Sequence, residues 1–549
     1  MCSSDLERSA GATSYPVGFL QYAGYANDNI RVSPNLTINL GLRYEYVTVP
    51  VASRYQVYSA PASVPGLLTV GLPKYDPTNF APRFGFAYSP GKEGDWVIRG
   101  GFSQAYDLTY SNLTSNGAPP YFQQTNDCPG VNCAPTGFLA SGGLPGSAQP
   151  LPTDQAGALA VLSSYTYGGK RPYGLDWTLG VQHVFKHNYT FEARYVGTRG
   201  VHLWNQTRQN IFARVSPTNY IPTFFTMPSA ATFASLTKTL ADVKSYIVPG
   251  GTADNPSNDL AVYGSAANIV GYSPQASSTY HGLALQLNRR YSNGLAFIAA
   301  YTWSHLEDDA TATNFSTYLT PRRAQDFQNL KADWSSSALD RCQRLTFTPI
   351  YEFRPFTNGN WLAKNVLGNW NISGTYTFES PEYATVQSNL DSNLNGDSAG
   401  DRVLINPAGQ ANVGSGVTGY NAAGQVAASS GSIVAYVANS SNARYVTAGS
   451  GAIANSGRDT FPLHRINNID LNLKKRFSFG ERYSFDIGAQ MFNLFNHPQF
   501  TGGFTDDVAS RGFINARNDL VPNDPLFGRF DQFYSSNSRF VQVFAHITF

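Results

Sequence analysis

Leu36-Thr37-Ile38-Asn39-Leu40-Gly41-Leu42-Arg43-Tyr44-Glu45-Tyr46 alternates without a break. Successive side chains of a strand point to opposite faces. This ribbon therefore has one apolar face ending in two tyrosines, and a polar face of Thr37, Asn39, Gly41, Arg43 and Glu45. Its length is about that of a tilted strand crossing a bilayer.

The pattern recurs along the chain. Phe84, Phe86 and Tyr88 alternate with Arg83, Gly85 and Ala87; Leu175, Trp177, Leu179 and Val181 alternate with Asp176, Thr178, Gly180 and Gln182. Tyr189 to Tyr195, Leu295 to Trp303, Leu345 to Phe353, Ile469 to Leu473 and Tyr483 to Ala489 behave alike. Strands of a soluble sandwich are shorter, about 5–6 residues, and carry charge on the outward face. Here Gly, Ala, Ser, Thr, Asn and Gln dominate the polar side. The fold expected is all-β: an antiparallel transmembrane barrel of outer-membrane type, localised to the bacterial outer membrane and facing its lipid. Around the turn Ser478–Arg482 a consistent register sets Lys474 opposite Asp486 and Leu473 opposite Ile487.

Composition agrees. Charged residues make up 13% of the 549, about half of the ordinary ~25%, while aromatics reach 14%. The net charge of +2 lacks the basic excess of a nucleic-acid surface. No apolar run reaches the ~18–20 residues of a spanning helix. Short connections alternate with long Gly/Ser/Pro/Asn-rich segments, roughly 50–78, 107–172, 200–280, 306–342, 380–465 and 496–537. Barrels of this type pair short periplasmic turns with long extracellular loops. A short helix is expected within Phe233–Ile247.

Val541, Val543, Ala545, Ile547 and the terminal Phe549 share one face of a last strand. A strand ending in phenylalanine resembles the signal read by the outer-membrane barrel-assembly machinery, and Val543, Ala545, Ile547 and Phe549 are assigned to it. About thirteen strands are expected, whereas single-chain bacterial barrels usually have even counts. An odd count implies that strands precede this chain. Residues 1–11 are expected to be a non-native start, because Cys2-Ser3-Ser4-Asp5-Leu6 is what the end of a common sequencing adapter encodes.

Several segments resemble TonB-dependent receptors, in particular the Oar-like barrels of acidobacteria. They are Tyr22 to Tyr46, Asn79 to Tyr88, Trp96 to Tyr106, Tyr301 to His305, Gly457-Arg458 and Phe492 to Phe500. Asn27-Asp28-Asn29-Ile30 departs from the family's usual motif at that place. The resemblance covers most of residues 12–549. It implies a barrel of about 22 strands around an N-terminal plug, with this chain as the C-terminal portion. It also implies uptake of a scarce extracellular ligand, driven by the TonB complex acting on the plug. A plug-free porin and a surface adhesion barrel are the alternatives.

Arg43, Glu45, Arg83, Arg99, Asp176, Glu192, Arg194, Arg344, Glu352, Asp470, Lys474 and Asp486 fall on the polar, lumen-facing phase. Two readings are open: they anchor a plug or line a solute path, or they form a hydrated wall with local pairs. In the lipid-facing phase an Arg or Lys near the midplane would cost roughly 2–4 kcal/mol. Asp391-x-Asn393-x-Asn395-x-Asp397, with Asp401, has the spaced oxygens of a Ca2+ loop, although Arg402 stands where an EF-hand has Glu. An Asx-rich turn is the other reading. Cys128 and Cys133 could close a small disulfide loop. Cys342 has no partner in sequence, and no second ligand pair points to zinc. No GxSxG, HExxH or Walker pattern occurs, so no enzyme activity is expected and no cofactor beyond the Ca2+ candidate.

Overall fold

The computed structural model describes residues 6–11, 18–91, 94–108, 123–128, 140, 152–186, 188–266, 268–310, 320, 323–356, 360–479, 482–500, 518–529, 531 and 537–549. Thirteen long strands follow one another in the wall. They are β1 Gln21–Ser33, β2 Leu36–Val47, β3 Phe80–Tyr88, β4 Trp96–Tyr106, β5 Tyr173–Phe185, β6 Tyr189–Arg208 and β7 Val270–Ser292. They continue as β8 Leu295–Asp308, β9 Gln343–Phe353, β10 Trp370–Glu379, β11 Ile466–Phe479, β12 Tyr483–Phe492 and β13 Phe540–Thr548. Each pairs antiparallel with the next, and β1 and β13 end the sheet with one neighbour apiece among the described residues. Outside the wall, Leu6–Gly11 pairs with Gln123–Cys128.

The turns at one end are tight. Asn293-Gly294 joins β7 to β8 with φ of 51° and 79°, the positive pair of a two-residue hairpin turn. A Cβ on Gly294 would run into the Glu352 carbonyl of β9. Higher in the wall, Gly197 lies directly opposite Trp177, and a side chain there would occupy the space of the indole.

Aromatic rings gather at both ends of the apolar face, as in membrane barrels. Near the tight turns Trp96 stacks on His183 with centroids 4.0 Å apart, and Phe185 stacks on Tyr189 at 5.1 Å. Towards the long loops Tyr44 meets Phe80 at 4.9 Å and Tyr106 meets Tyr173 at 5.5 Å. Between these belts the face is exposed Leu40, Leu179 and Leu283.

The buried core lies in the loops. Tyr165, Phe233, Phe461, Leu159, Leu162, Ile221 and Leu240 are fully buried, and none belongs to a wall strand. The segments after β2, β4 and β6 share one cluster, with Val64, Leu159 and Leu260. Those after β6 and β10 share another, with Ile221, Leu240, Tyr436 and Val446. A third cluster, with Ala338, Val386 and Leu520, joins the segments after β8, β10 and β12, so the described parts of six long segments form one folded cap.

Three expectations are corrected. The strands β6 and β7 run 20 and 23 residues, so both ends of 200–280 are strand; there both faces are covered and Ser273 hydrogen-bonds Asn205 instead of alternating with apolar neighbours. The helix expected over 233–247 is two, Ala230–Ser235 and Leu240–Ser245, each started by its own side-chain cap, Ser229 and Thr239. In the β11–β12 hairpin, Arg476 faces Asp486 and Lys474 faces Gly488. Phe477 and Phe479 extend β11 and move the centre of the turn by one residue, so each partner shifts by two, which preserves the faces and changes the partners.

Candidate functional site

The ladders carry all twelve singled-out charges onto one face of the sheet. Across β4 to β9 one row reads Arg99, Gly180, Arg194, Ala284, Thr302 and Arg344. Most of these charges are paired locally. Glu45 receives Arg43 Nε at 2.5 Å and Arg171 Nη1 at 3.5 Å. Arg194 pairs with Glu192 two residues away, and Arg344 Nε lies 3.0 Å from Glu379. Glu352 accepts the Tyr291 hydroxyl at 2.6 Å and meets Arg354 at 3.0 Å. Asp176 accepts Thr198 at 2.7 Å, and Asp470 accepts the Asn493 amide at 2.9 Å. Asp486 takes both arms of Arg476, at 2.7 and 2.8 Å, with Lys474 at 3.6 Å. Arg83 lines a concavity with Asn27, Asn39, Ser103 and Asp176, and Arg99 lines the next with Glu192 and Arg194.

Above this wall the cap is tied by buried charges. Arg458 binds the Asp308 carboxylate at the end of β8, reaches Asp459 at 3.2 Å, and donates to the Asp333 carbonyl at 3.0 Å. Arg402 pairs with the Asp333 carboxylate. Burial lowers the Arg402 pKa to about 10, with the Arg458 charge adding to the effect. Burial also pushes Asp459 up to about 7. A cavity of about 390 Å³ opens beside the Arg402–Asp333 pair, edged by Ser216, Asp326, Asn329, Asn393 and Asn455.

The Asp391–Asp401 segment is a tight polar loop in the cap. Asp391 accepts the Asn395 and Gly396 amides at 3.0 and 2.9 Å, and Asn393 and Asn395 each accept the amide two residues on. Asp397 sits between Arg323 at 2.7 Å and Arg208 at 3.2 Å. Asp401 accepts the Ser392 amide at 2.7 Å, and burial, then Asp391, holds its carboxyl well above the usual range. Most oxygens of the expected Ca2+ loop are thus engaged by its own amides and by two arginines, while Asp401 Oδ1 is buried without a hydrogen-bond partner. Cys128 ends the strand paired with Leu6–Gly11; its side chain and Cys133 lie outside the described residues. Val543, Ala545 and Ile547 pair with Ala489, Ile487 and Phe485 on the sheet's last strand, and Phe549 is 89% exposed just beyond it.

Sequence reading passed over Arg171, Arg476, Asp308, Asp333 and Arg458 as charges with roles. Each stands beside or near other charges, as in Lys170-Arg171, Glu307-Asp308-Asp309 and Arg458-Asp459, so nothing local singles it out. What distinguishes these residues is that burying a charge requires a partner, and the partner is remote in sequence.

The wall, the belts and the folded cap at one end define an outer-membrane barrel of the kind that carries large extracellular loops. The chain belongs to the outer membrane beta barrel domain family, whose model matches residues 3–542. Similar solved structures include an Escherichia coli outer membrane transporter, YddB, at 10% identity and a TM-score of 0.41. Others are a ferric enterobactin receptor of Pseudomonas aeruginosa (12%, 0.38) and a siderophore receptor, PirA, of Acinetobacter baumannii (10%, 0.39). Each aligns with 96% of this chain, which spans 44–45% of theirs. No curated protein sequence matches the chain.

Proposed function

We propose that this chain is the C-terminal barrel portion and extracellular cap of an Oar-like TonB-dependent receptor, which takes up a scarce ligand at the expense of inner-membrane energy. The observation carrying the proposal is the segregation of the wall. One face is apolar between two aromatic belts, the other bears all twelve charges, and a folded cap stands at one end only. In this reading the cap and its cavity capture the ligand, and the charged face lines the lumen against a plug supplied by upstream sequence. Further strands pair with the free edges of β1 and β13, since unpaired backbone groups in hydrocarbon cost several kcal/mol each. Val543, Ala545, Ile547 and Phe549 present the last strand to the assembly machinery.

The test is to express the complete native reading frame in cells whose energy-coupling protein can be switched off. The cells are given a defined mixture of ferric chelates, cobalamin, oligosaccharides and peptides. Depletion of one component that stops when coupling is off is the expected result. Uptake that persists and rises linearly with concentration would establish a porin instead, and no uptake with retained cell-surface binding an adhesion barrel.

A further inference from the structure

Three side chains of different chemistry meet where the end of β8 leaves the start of β9, just beyond the Trp303–Gln343 pair. His305, near the end of β8, places Nδ1 2.8 Å from Asp340 Oδ2. Cys342, immediately before β9, places Sγ 3.4 Å from the same oxygen. All three ligand atoms lie within 4.8 Å of one another. We propose that His305 Nδ1, Asp340 Oδ2 and Cys342 Sγ form a zinc site, with its fourth position open to the extracellular medium.

Two of the three spacings are close to what the ion needs. Bonds of about 2.3 Å to sulfur and about 2.0–2.2 Å to nitrogen and oxygen in a tetrahedron set ligand atoms roughly 3.3–3.6 Å apart. The Cys342–Asp340 distance already has that value, and the His305–Asp340 distance needs to open by about half an ångström. The surroundings aim the ligands. Asp340 is buried, and its other oxygen accepts the Leu306 amide at 2.9 Å, which turns Oδ2 toward the cluster. Glu307 lies 3.7 Å from His305 Nε2, where metal-bound imidazoles keep a carboxylate partner. Arg341 is engaged elsewhere, by Glu382 at 2.7 Å and Glu379 at 3.4 Å, so it does not compete for Asp340. His305 is half exposed, which leaves room for a water or an outside ligand.

A thiolate, an imidazole and a carboxylate select a borderline ion such as Zn2+ over Ca2+ or Mg2+, which take oxygen ligands. Binding replaces the Cys342 thiol proton by the metal and releases it to solvent, with no change of oxidation state. The site joins the end of β8 to the start of β9 across the segment between them. It is independent of the transport reading, because it needs neither plug nor coupling.

The experiment uses the protein of the complete native reading frame, folded in detergent under a phosphine reductant, with Co2+ as spectroscopic probe and Zn2+ as competitor. Wild type is expected to show thiolate-to-cobalt charge transfer with tetrahedral d–d bands, displaced by one equivalent of Zn2+. Cys342→Ser is expected to abolish the charge-transfer band. His305→Ala should weaken Zn2+ affinity by more than the roughly 10–100-fold typical of a lost outer-shell partner. Strand circular dichroism of both variants should match wild type, separating lost ligands from lost fold. A cobalt spectrum without the thiolate band, or one that survives Cys342→Ser through the other cysteines, would overturn the proposal.

Discussion

Arg458 forms a buried ion pair with Asp308, a residue 150 positions earlier in the chain. One lies in the loop after β10 and the other closes β8, so the pair fastens the cap to the wall. Removing one partner of a buried pair leaves an uncompensated charge, at a cost of about 3–5 kcal/mol. Arg458→Ala should therefore loosen the cap while the strands persist. Hydrogen exchange should rise in 306–340 and 385–405 and stay unchanged in β11 and β12. Adding Asp308→Asn should recover part of the loss, and equal loosening throughout the wall would show that the pair does not act locally.

Asp259 sits in the cap, and burial pushes its pKa up to about 6 from 3.8. The folded state therefore holds this proton more tightly than the unfolded state. Its stabilising contribution is complete below about pH 4 and is lost as pH rises from about 4 to 6. Because the group is partly exposed and screened, the effect is of order 1 kcal/mol. Asp259→Asn should remove this part of the pH dependence and leave the cap more stable than wild type at pH 7. Parallel urea curves for the two proteins at several pH values would measure it.

The β11–β12 hairpin separates two cations that share one carboxylate. Arg476 grips Asp486 with two hydrogen bonds, whereas Lys474 stands 3.6 Å away. Charge-assisted bidentate bonds are the stronger kind. Arg476→Ala should cost about 1–3 kcal/mol and Lys474→Ala less than about 1 kcal/mol, read from unfolding in lipid vesicles. The opposite order would show that the diagonal contact dominates.

Leu179 lies on the apolar face, 52% exposed, and Thr346 on the charged one. Leu179→Arg should lower folding stability in vesicles by roughly 2–4 kcal/mol, and Thr346→Arg by little. Similar penalties at both sites would contradict the assignment of faces.

Phe549 is predicted to matter in cells and not in the test tube. Phe549→Ala should reduce assembly into the outer membrane several-fold, while its folding yield in synthetic vesicles stays at the wild-type level. Loss in both assays would make the phenylalanine a structural residue.

The wall was legible because one face meets lipid and the other water, a condition that writes period-2 alternation into residues such as 36–46 and 483–489. The same logic explains what was hidden. Where the upper parts of β6 and β7 are covered on both sides, Asn205, Gln206, Thr207 and Ser273 are buried with hydrogen-bonded partners, and no alternation marks them as strand. The β11–β12 register differs from the expected one because Phe477 and Phe479 carry the strand past Ser478, while Lys475 takes the apolar phase in either register. It is held there by the Val366 and Gly368 carbonyls and by the ring of Trp370, 4.9 Å away. Pairings such as Arg458 with Asp308, or His305 with Asp340, join residues far apart in the chain and have no period to read.

The 23 residues of β7 exceed the roughly 9–11 that a bilayer requires. The surplus, about 40 Å of strand at ~3.3 Å per residue, carries the folded cap outward like a mast. A solute arriving from outside meets a shaped, hydrogen-bonded protein surface well before it reaches the level of the lipid.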